Sequence, residues 1–278
     1  MLIGILLNRV TWEIKQIIKE LDHQGIDHEL LNNKRIYFEL TKKKDLEKKY
    51  DVILERSLSY MRGLYDVINN YECLNLTGNK LLTTLKLIEN EIPTPKTCVA
   101  FKAGTAMEAI EEVMEYPAIV KPIIGSWGRL ISKLEDKNAA IGNLECRETM
   151  GNILQKIYYL QEFIPTPDKN APTDIRVIVI GDECVAAMGR FNPKGDFRSN
   201  IAIGGTAEPL ELTEEIKQIS VRAARAVQGE MVGVDLMEHH GSLSVIEVNG
   251  TPQFRGIQTS TRINVAKKMV DYLIDEYM

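Results

Sequence analysis

The chain has 278 residues, more than a single hydrophobic core usually holds together, so its length predicts two or three domains. With 34 basic and 39 acidic residues the net charge is −5, and this balance gives no electrostatic footprint for binding a nucleic-acid backbone. The opening apolar run, residues 1–7, is too short for a membrane span or a signal peptide, and the four cysteines lack the close pairs of a zinc site, so we expect a cytoplasmic protein without a membrane partner.

The first third of the chain alternates short apolar runs with helical patterns. Ile14, Ile17 and Leu21 recur at helical spacing, and Gly25 is suited to end that helix. Alternating strands and helices are typical of a parallel sheet covered on both faces, which predicts an N-terminal α/β domain at residues 1–90. Strands are expected at 2–7, 27–31, 51–55 and 73–76, and further helices at 62–71 and 78–90.

The rest of the chain predicts a small central domain at residues 91–160 and a C-terminal α+β domain at 161–278. Pro93 and Pro95 begin an extended segment, and Gly181 with Asp182 is suited to a hairpin turn between antiparallel strands. Helices are expected at 107–114, 139–150, 214–228 and 264–277, and strands at 118–121, 130–134, 158–164, 174–180, 184–191, 232–236 and 243–248.

Three oxygen-bearing side chains stand on the last two predicted strands. In a hairpin centred on Gly241, residues whose numbers sum to 482 face each other, so Asp235 lies opposite Glu247. Asn249 shares a strand face with Glu247, because alternate strand residues point to the same side. Oxygen donors of this kind suit Mg²⁺, which one or two carboxylates usually hold together with nucleotide phosphates. The alternative is that the acids are solvent-facing strand residues that happen to align.

A second motif joins a lysine to a glycine loop. Lys121 ends a predicted strand, where an ammonium group can neutralise phosphate oxygens, and the loop at residues 125–128 can bring backbone N–H groups close to a polyphosphate. The loop is neither a Walker A motif nor a dinucleotide fingerprint, and an ordinary turn could use the same residues. No spaced histidines or nucleophile elbow indicate zinc catalysis or a serine triad.

A third group of residues is cationic. Arg176, Arg190 and above all Arg198 could bind phosphate or an acidic substrate through their planar guanidinium groups. Lys80, near a predicted helix N-terminus, could also reach a nucleotide. Each of these residues is explained as readily by a role in surface solubility. Their interpretation as ligand-binding residues therefore depends on the other two motifs in the same chain.

Taken in order, these elements resemble the ATP-grasp superfamily, specifically its RimK-like ligases, over nearly the whole chain. Within that group, Gly-Ser-Trp-Gly-Arg-Leu at residues 125–130 and Arg-Glu-Thr-Met-Gly at 147–151 are similar to the LysX/ArgX ligases of lysine and arginine biosynthesis. The resemblance implies a three-domain fold of class α/β and α+β, in which a small central lid stands between an N-terminal α/β domain and a C-terminal antiparallel-sheet domain.

The resemblance also implies roles for particular residues. Asp235, Glu247 and Asn249 match the family's magnesium ligands, and Lys121, Arg190 and Arg198 match its catalytic cations. The residues that it implies for ATP binding are Lys80, Lys121, Ser126, Trp127, Gly128, Arg129, Gln161, Glu162, Phe163, Ile164, Arg190, Arg198, Ser199 and Asn200. Those implied for the amino-acid substrate are Arg176, Asn249, Gly250, Thr251, Phe254, Gly256 and Ile257.

By the same resemblance, ATP and Mg²⁺ activate the C-terminal glutamate side chain of a small acidic carrier protein, LysW, for ligation to glutamate or α-aminoadipate. Gly256 and Ile257 match the family's specificity dipeptide and are closer to its glutamate form, although Ile257 departs from it, so both acceptors stay open. We also expect a homo-oligomer, either a dimer or a tetramer. The rival interpretations are another RimK-type glutamate ligase, acting on a protein tail or on a pterin or deazaflavin cofactor, and a non-catalytic nucleotide-binding module.

Overall fold

The computed structural model describes residues 1–35, 49–57, 67–125, 128–168, 170–193, 196–198, 204–239 and 241–277, which form three β-sheets with helices packed against them. Within these ranges, no helix has the length and apolar character that crossing a bilayer requires. The strands are β1 (Leu2–Leu7), β2 (Asp27–Asn32), β3 (Val52–Glu55), β4 (Thr97–Ala100), β5 (Ala118–Lys121), β6 (Ser132–Leu134), β7 (Tyr158–Glu162), β8 (Asp174–Ile180), β9 (Glu183–Phe191), β10 (Thr206–Pro209), β11 (Met231–His239) and β12 (Ser242–Asn249). The α-helices are α1 (Trp12–His23), α2 (Tyr71–Thr77), α3 (Lys80–Glu89), α4 (Ala103–Ala109), α5 (Lys137–Met150), α6 (Glu214–Ala226), α7 (Arg255–Thr261) and α8 (Val265–Tyr277).

The first sheet has the order β2-β1-β3, and both of its pairings are parallel, as the alternating pattern predicts. Helix α1 begins where the Thr11 hydroxyl accepts a hydrogen bond from the N–H of Ile14, and its apolar face packs against β1 and α8. Because parallel strands end at a common edge, Asn8 and Arg56, which follow β1 and β3, come to the same side of the sheet.

One predicted strand is wrong: residues 73–76 belong to helix α2. The Asn70 side chain accepts a hydrogen bond from the N–H of Cys73 at 2.8 Å and so caps the helix, while Cys73, Leu74 and Leu76 are buried. A short apolar run does not distinguish a strand from a buried helix, and here the capping residue decides between them. The helix expected at 62–71 lies largely outside the described residues.

The central sheet has the order β4-β7-β5-β6 and is antiparallel throughout. Val120 and Leu160 point into a core beneath α4 and α5, so the alternating residues Lys121 and Gln161 point to the opposite face. This alternation turns the two polar side chains toward the rest of the molecule. The domain boundaries expected from the sequence stay a prediction, and β7 spans the one expected between residues 160 and 161.

The third sheet is antiparallel, with the order β10-β9-β8-β11-β12, and it carries α6 on one face and α7 and α8 on the other. Strand β10 and helix α7 were not expected from the sequence. Asp235 pairs with Glu247 and Gly233 with Asn249, as predicted, but the pairs nearer the turn, such as Leu236 with Val245, sum to 481. One unpaired residue, Ile246, forms a bulge that restores the expected register.

A buried asparagine ties the segment before α2 to the third sheet. Asn69, which is 2 % exposed, donates to the carbonyls of Met231 and Gly250 at 2.8 and 2.6 Å and accepts from the N–H groups of Glu230 and Met231. We expect Asn69→Ala to lower the free energy of unfolding by about 2–4 kcal/mol, because these buried groups lose their partners. Urea denaturation measures the change, with the exposed Asn170→Ala as the control; equal stabilities of the two variants would contradict the prediction.

Candidate active site

The three sheets surround a cleft of about 1560 Å³. Residues that follow β1 and β3, residues of the glycine loop and β7, and residues of β8, β9, β11 and β12 all line it. The cleft therefore lies where the three sheets meet, and it collects most of the residues singled out in the sequence.

The candidate metal ligands lie together on one wall of this cleft. Asp235 on β11 pairs directly with Glu247 on β12, and Asn249 lies two residues farther along β12. The bulge at Ile246 matters here, because it turns both Ile246 and Glu247 toward the cleft while Val245 and Val248 stay in the core. Two carboxylates and an amide fit the oxygen-rich coordination of Mg²⁺.

Two arginines hold the Asp235 carboxylate. Arg176 binds it through Nε and Nη2, the latter at 2.6 Å, and Arg190 lies 2.9 Å from it through Nη2. Burial tends to raise the pKa of Asp235, but the two guanidinium groups outweigh burial and hold that pKa below its usual range. The carboxylate is therefore ionised at neutral pH, as a metal ligand must be.

Arg190 is itself paired a second time. Its Nε donates to Asp174 at 2.5 Å, and both side chains are buried. Burial tends to lower the pKa of Arg190, but Asp235 and Asp174 outweigh it and raise that pKa above its usual value. Asp174, which sequence reasoning missed, therefore positions the guanidinium beside the candidate metal ligands.

Glu247 forms an ion pair with one cation among the described residues. Lys80 Nζ lies 3.1 Å from its carboxylate and also donates to the Gly125 carbonyl at 3.1 Å. Helix α3 places this lysine, because Asn79 caps the helix and the Lys80 N–H donates to the carbonyl of Ile123. Lys80 thus connects the glycine loop to the candidate metal wall, and its side chain is 12 % exposed.

Lys121 and the residues of β7 form the opposite wall. The Lys121 ammonium donates to the Gln161 side chain at 2.5 Å, and the Glu162 carboxylate accepts from the N–H of Lys96 at 2.6 Å. Phe163 carries Lys133 over its ring at 4.1 Å, and Ile164 lines the same wall. An aromatic ring and an aliphatic side chain beside polar backbone groups suit a flat heteroaromatic base.

We expect Lys121 to make nucleotide binding depend on pH. Burial lowers the pKa of Lys121 to about 8, even though the Glu247 carboxylate acts in the opposite direction. The ammonium form, which attracts phosphate, is present below that pH, so the dissociation constant for ATP should rise between pH 8 and 9.5, by up to about tenfold per unit. Calorimetric titration measures it, and Lys121→Arg, which stays charged, should give a flat profile. An equal slope in both proteins would contradict the assignment.

Arg198 joins the third sheet to the glycine loop. Its guanidinium is paired with Asp196 at 2.7 Å and donates to the Gly128 carbonyl at 3.0 Å. Both contacts can be exchanged for a phosphate, because Arg198 lines the cleft and is not buried beneath it.

Most of the residues singled out in the sequence do line the cleft, but two do not. The Phe254 and Ile257 side chains are fully buried in the core formed by the first and third sheets and do not line the cleft. Ser126, Trp127, Ser199 and Asn200 lie outside the described residues. The others that line the cleft are Lys80, Lys121, Gly128, Arg129, Gln161, Glu162, Phe163, Ile164, Arg176, Arg190, Arg198, Asp235, Glu247, Asn249, Gly250, Thr251 and Gly256.

Sequence reasoning missed the contribution of the first sheet to this cleft. Asn8, Arg9 and Arg56, which follow β1 and β3, line it together with Trp12. A signal for them existed, since ligands of open α/β sheets bind outside the carboxyl ends of the strands.

Comparison with known proteins identifies the family to which the chain belongs. The model of the RimK-like ATP-grasp domain matches residues 77–273, and that of the LysX preATP-grasp domain matches residues 3–74. The chain is 34 % identical to the glutamate–LysW ligase ArgX of Sulfurisphaera tokodaii, over 100 % of this chain and 99 % of that one. It is 32 % identical to the α-aminoadipate–LysW ligase LysX of Saccharolobus solfataricus, over 94 % and 96 %.

The same fold appears among solved structures. A RimK-domain ATP-grasp protein from Sphaerobacter thermophilus superposes with a TM-score of 0.74 at 18 % identity, covering 99 % of this chain and 100 % of that one. The three-sheet arrangement described above is therefore an ATP-grasp fold, as the sequence predicts.

Proposed function

Because the chain belongs to the RimK-like ATP-grasp family and is an ATP-dependent ligase, we propose that it joins the C-terminal glutamate side chain of a LysW-like carrier protein to the amino group of glutamate or α-aminoadipate. The observation that carries this proposal is the match of residues 3–74 to the LysX preATP-grasp model, together with full-length similarity to ligases named for LysW. The reaction would belong to arginine or lysine biosynthesis.

In the proposed reaction the carrier carboxylate attacks the γ-phosphorus of ATP, the bond to the β–γ bridging oxygen breaks, and ADP leaves. The amine of the acceptor then attacks the acylphosphate, phosphate leaves with the electron pair of its C–O bond, and the nitrogen loses a proton to give an amide. Phosphoryl transfer of this kind depends on positioning and on charge stabilisation.

The residues of the chain supply these two effects. Lys121, Lys80 and Arg198 would bind the nucleotide phosphates, and the hinge at Gln161–Ile164 would hold the base. Asp235, Glu247 and Asn249 would hold Mg²⁺, which neutralises phosphate charge when bound. As phosphates approach, Arg176, Arg190 and Lys80 can turn from the carboxylates toward them, because a cation that pairs with an acid can pair equally with a phosphate oxygen.

Mass spectrometry of the carrier tests the proposal. Purified protein is mixed with ATP, Mg²⁺, carrier and one amino acid at a time, and the expected result is a mass gain of the carrier with glutamate, with α-aminoadipate or with both. The three patterns identify the acceptor. Unchanged carrier together with glutamylation of another protein tail, or of a pterin or deazaflavin, would contradict the carrier assignment and support the rival ligase.

Size-exclusion chromatography coupled to light scattering tests the homo-oligomer expected from the sequence. We propose a dimer or a tetramer; a monomer at micromolar concentration would contradict it.

A further inference from the structure

A second cationic region lies at the end of the cleft that the first sheet forms. Arg56 follows β3, Arg9 follows β1, and Arg255 begins α7 with its guanidinium 5.7 Å from the Trp12 ring. All three arginines line the same cleft as Lys121 and Glu247. None of the roles assigned so far, in phosphate, metal or base binding, uses these arginines.

Arg56 is the most constrained of the three. Its Nη2 donates to the carbonyl of Pro252 at 2.9 Å, and its guanidinium lies 5.9 Å from the Phe254 ring. Its Nε is fully buried and finds no hydrogen-bond partner in the described part of the chain. A buried N–H of a charged group without an acceptor costs free energy, which a ligand oxygen would recover.

The charge of Arg56 is maintained despite this burial. Burial lowers the pKa of Arg56 to about 10, while the acids Glu13 and Glu55 act in the opposite direction, so the guanidinium is protonated at neutral pH. Glu13 is 6 % exposed and also lines the cleft. These two acids lie near enough to influence the guanidinium electrostatically, yet no acceptor among the described residues meets its Nε.

The distance to the reacting groups suits a small acid. Pro252, whose carbonyl holds Arg56, follows Asn249 by three residues, and three residues span at most about 11 Å. A molecule bound at Arg56 is thus within reach of the candidate metal ligands. Under the proposed function each substrate carries a carboxylate that does not react, namely the terminal carboxylate of the carrier and the carboxylates of the acceptor.

We propose that Arg56, flanked by Arg9 and Arg255, forms a carboxylate-binding subsite that holds the non-reacting carboxylate of an acidic substrate. The guanidinium would receive the carboxylate as a fork, which fixes the orientation of the substrate as well as its charge. This inference rests on the proposed function for the identity of the acid. The carboxylate comes either from the acceptor amino acid or from the terminus of the carrier, and the experiment below separates the two.

Calorimetric binding tests the subsite without any turnover. The full chain, saturated with Mg²⁺ and a non-hydrolysable ATP analogue, is titrated with glutamate, with its α-amide isoglutamine and with its side-chain amide glutamine. If the acceptor supplies the carboxylate, one amide binds about ten- to hundredfold more weakly than glutamate, and Arg56→Met removes that difference. The matched control is Arg225→Met, which removes an exposed ion pair with Asp182.

The carrier arm uses the same proteins. If the carrier terminus supplies the carboxylate, Arg56→Met weakens binding of the carrier about ten- to hundredfold but not that of a carrier with an amidated C-terminus, while glutamate binding is unchanged. In either case the dissociation constant for the nucleotide stays within about twofold. Loss of nucleotide affinity in the same proportion would show that Arg56 is merely structural and would overturn the proposal.

A substitute keeps the proposal testable if Arg56→Met does not fold. Arg56→Lys retains the charge and loses the fork, and it should weaken acid binding by a smaller factor than tenfold without changing amide binding. Wild-type protein that binds the acids and all of their amides equally would overturn the subsite in any event. That outcome would not contradict the proposed ligation, because ligation is tested separately by the mass gain of the carrier. Conversely, absence of ligation would not invalidate the measured binding of glutamate.

Discussion

Replacing Glu247 by glutamine is expected to lower kcat/KM for ligation by at least about 10²–10³-fold while leaving the melting temperature within a few degrees. The amide keeps the size of the side chain but removes one of the two charges offered to Mg²⁺ and to the developing charge on the phosphoryl group, and one such interaction is typically worth that factor. Stability changes little because the Glu247 side chain is 30 % exposed and pairs only with Lys80 among the described residues. Single-turnover assays and thermal melts measure the two quantities.

The matched control is Glu183→Gln, which removes an exposed carboxylate paired with Lys268 at 3.5 Å. It should change neither activity nor melting temperature, because an exposed pair of this kind contributes little. Full activity of the Glu247 variant would refute its role as a metal ligand. A large fall in melting temperature would instead show that Glu247 stabilises the fold.

Replacing Asp235 by asparagine is expected to have a double effect. Ligation should be lost as for Glu247, and the free energy of unfolding should also fall by about 3–5 kcal/mol. The physical reason is that Asp235 is buried between Arg176 and Arg190. The substitution removes the carboxylate charge that both guanidinium groups pair with. Urea denaturation followed by circular dichroism measures the stability.

The surface pair between Asp182 and Arg225 provides the control for this stability effect. Both side chains are about two-thirds exposed, so Asp182→Asn should cost no more than about 1 kcal/mol. A stable but inactive Asp235 variant would show that the arginines find other partners, and a stable, active one would refute the metal site. We therefore expect that removing a candidate metal ligand leaves the fold stable at Glu247 and destabilises it at Asp235.

Local sequence patterns predicted secondary structure correctly where the residue types favour one secondary structure. Strands 118–121 and 174–180 appear with the bounds expected, because both runs are rich in the β-branched residues Ile and Val, which favour a strand over a helix. The strand predicted at residues 73–76 was wrong because the apolar run is equally compatible with a helix. The side chain of Asn70, outside the run, caps and so stabilises the helix. The pairing of Asp235 with Glu247 was right even though the turn is offset by one residue, because the bulge at Ile246 compensates.

The sequence by itself determined most of the elements, the approximate register of the last hairpin and the residue types that line the site, because those depend on residues close together in the chain. Only the tertiary structure decided which charges meet: Asp235 contacts Arg176 across 59 positions, and Lys80 contacts Glu247 across 167. It also decided that Ile257 points into the core and that Arg56 points into the cleft. Such outcomes depend on how three sheets pack against one another, and that packing is the sum of many distant contacts which no local pattern records.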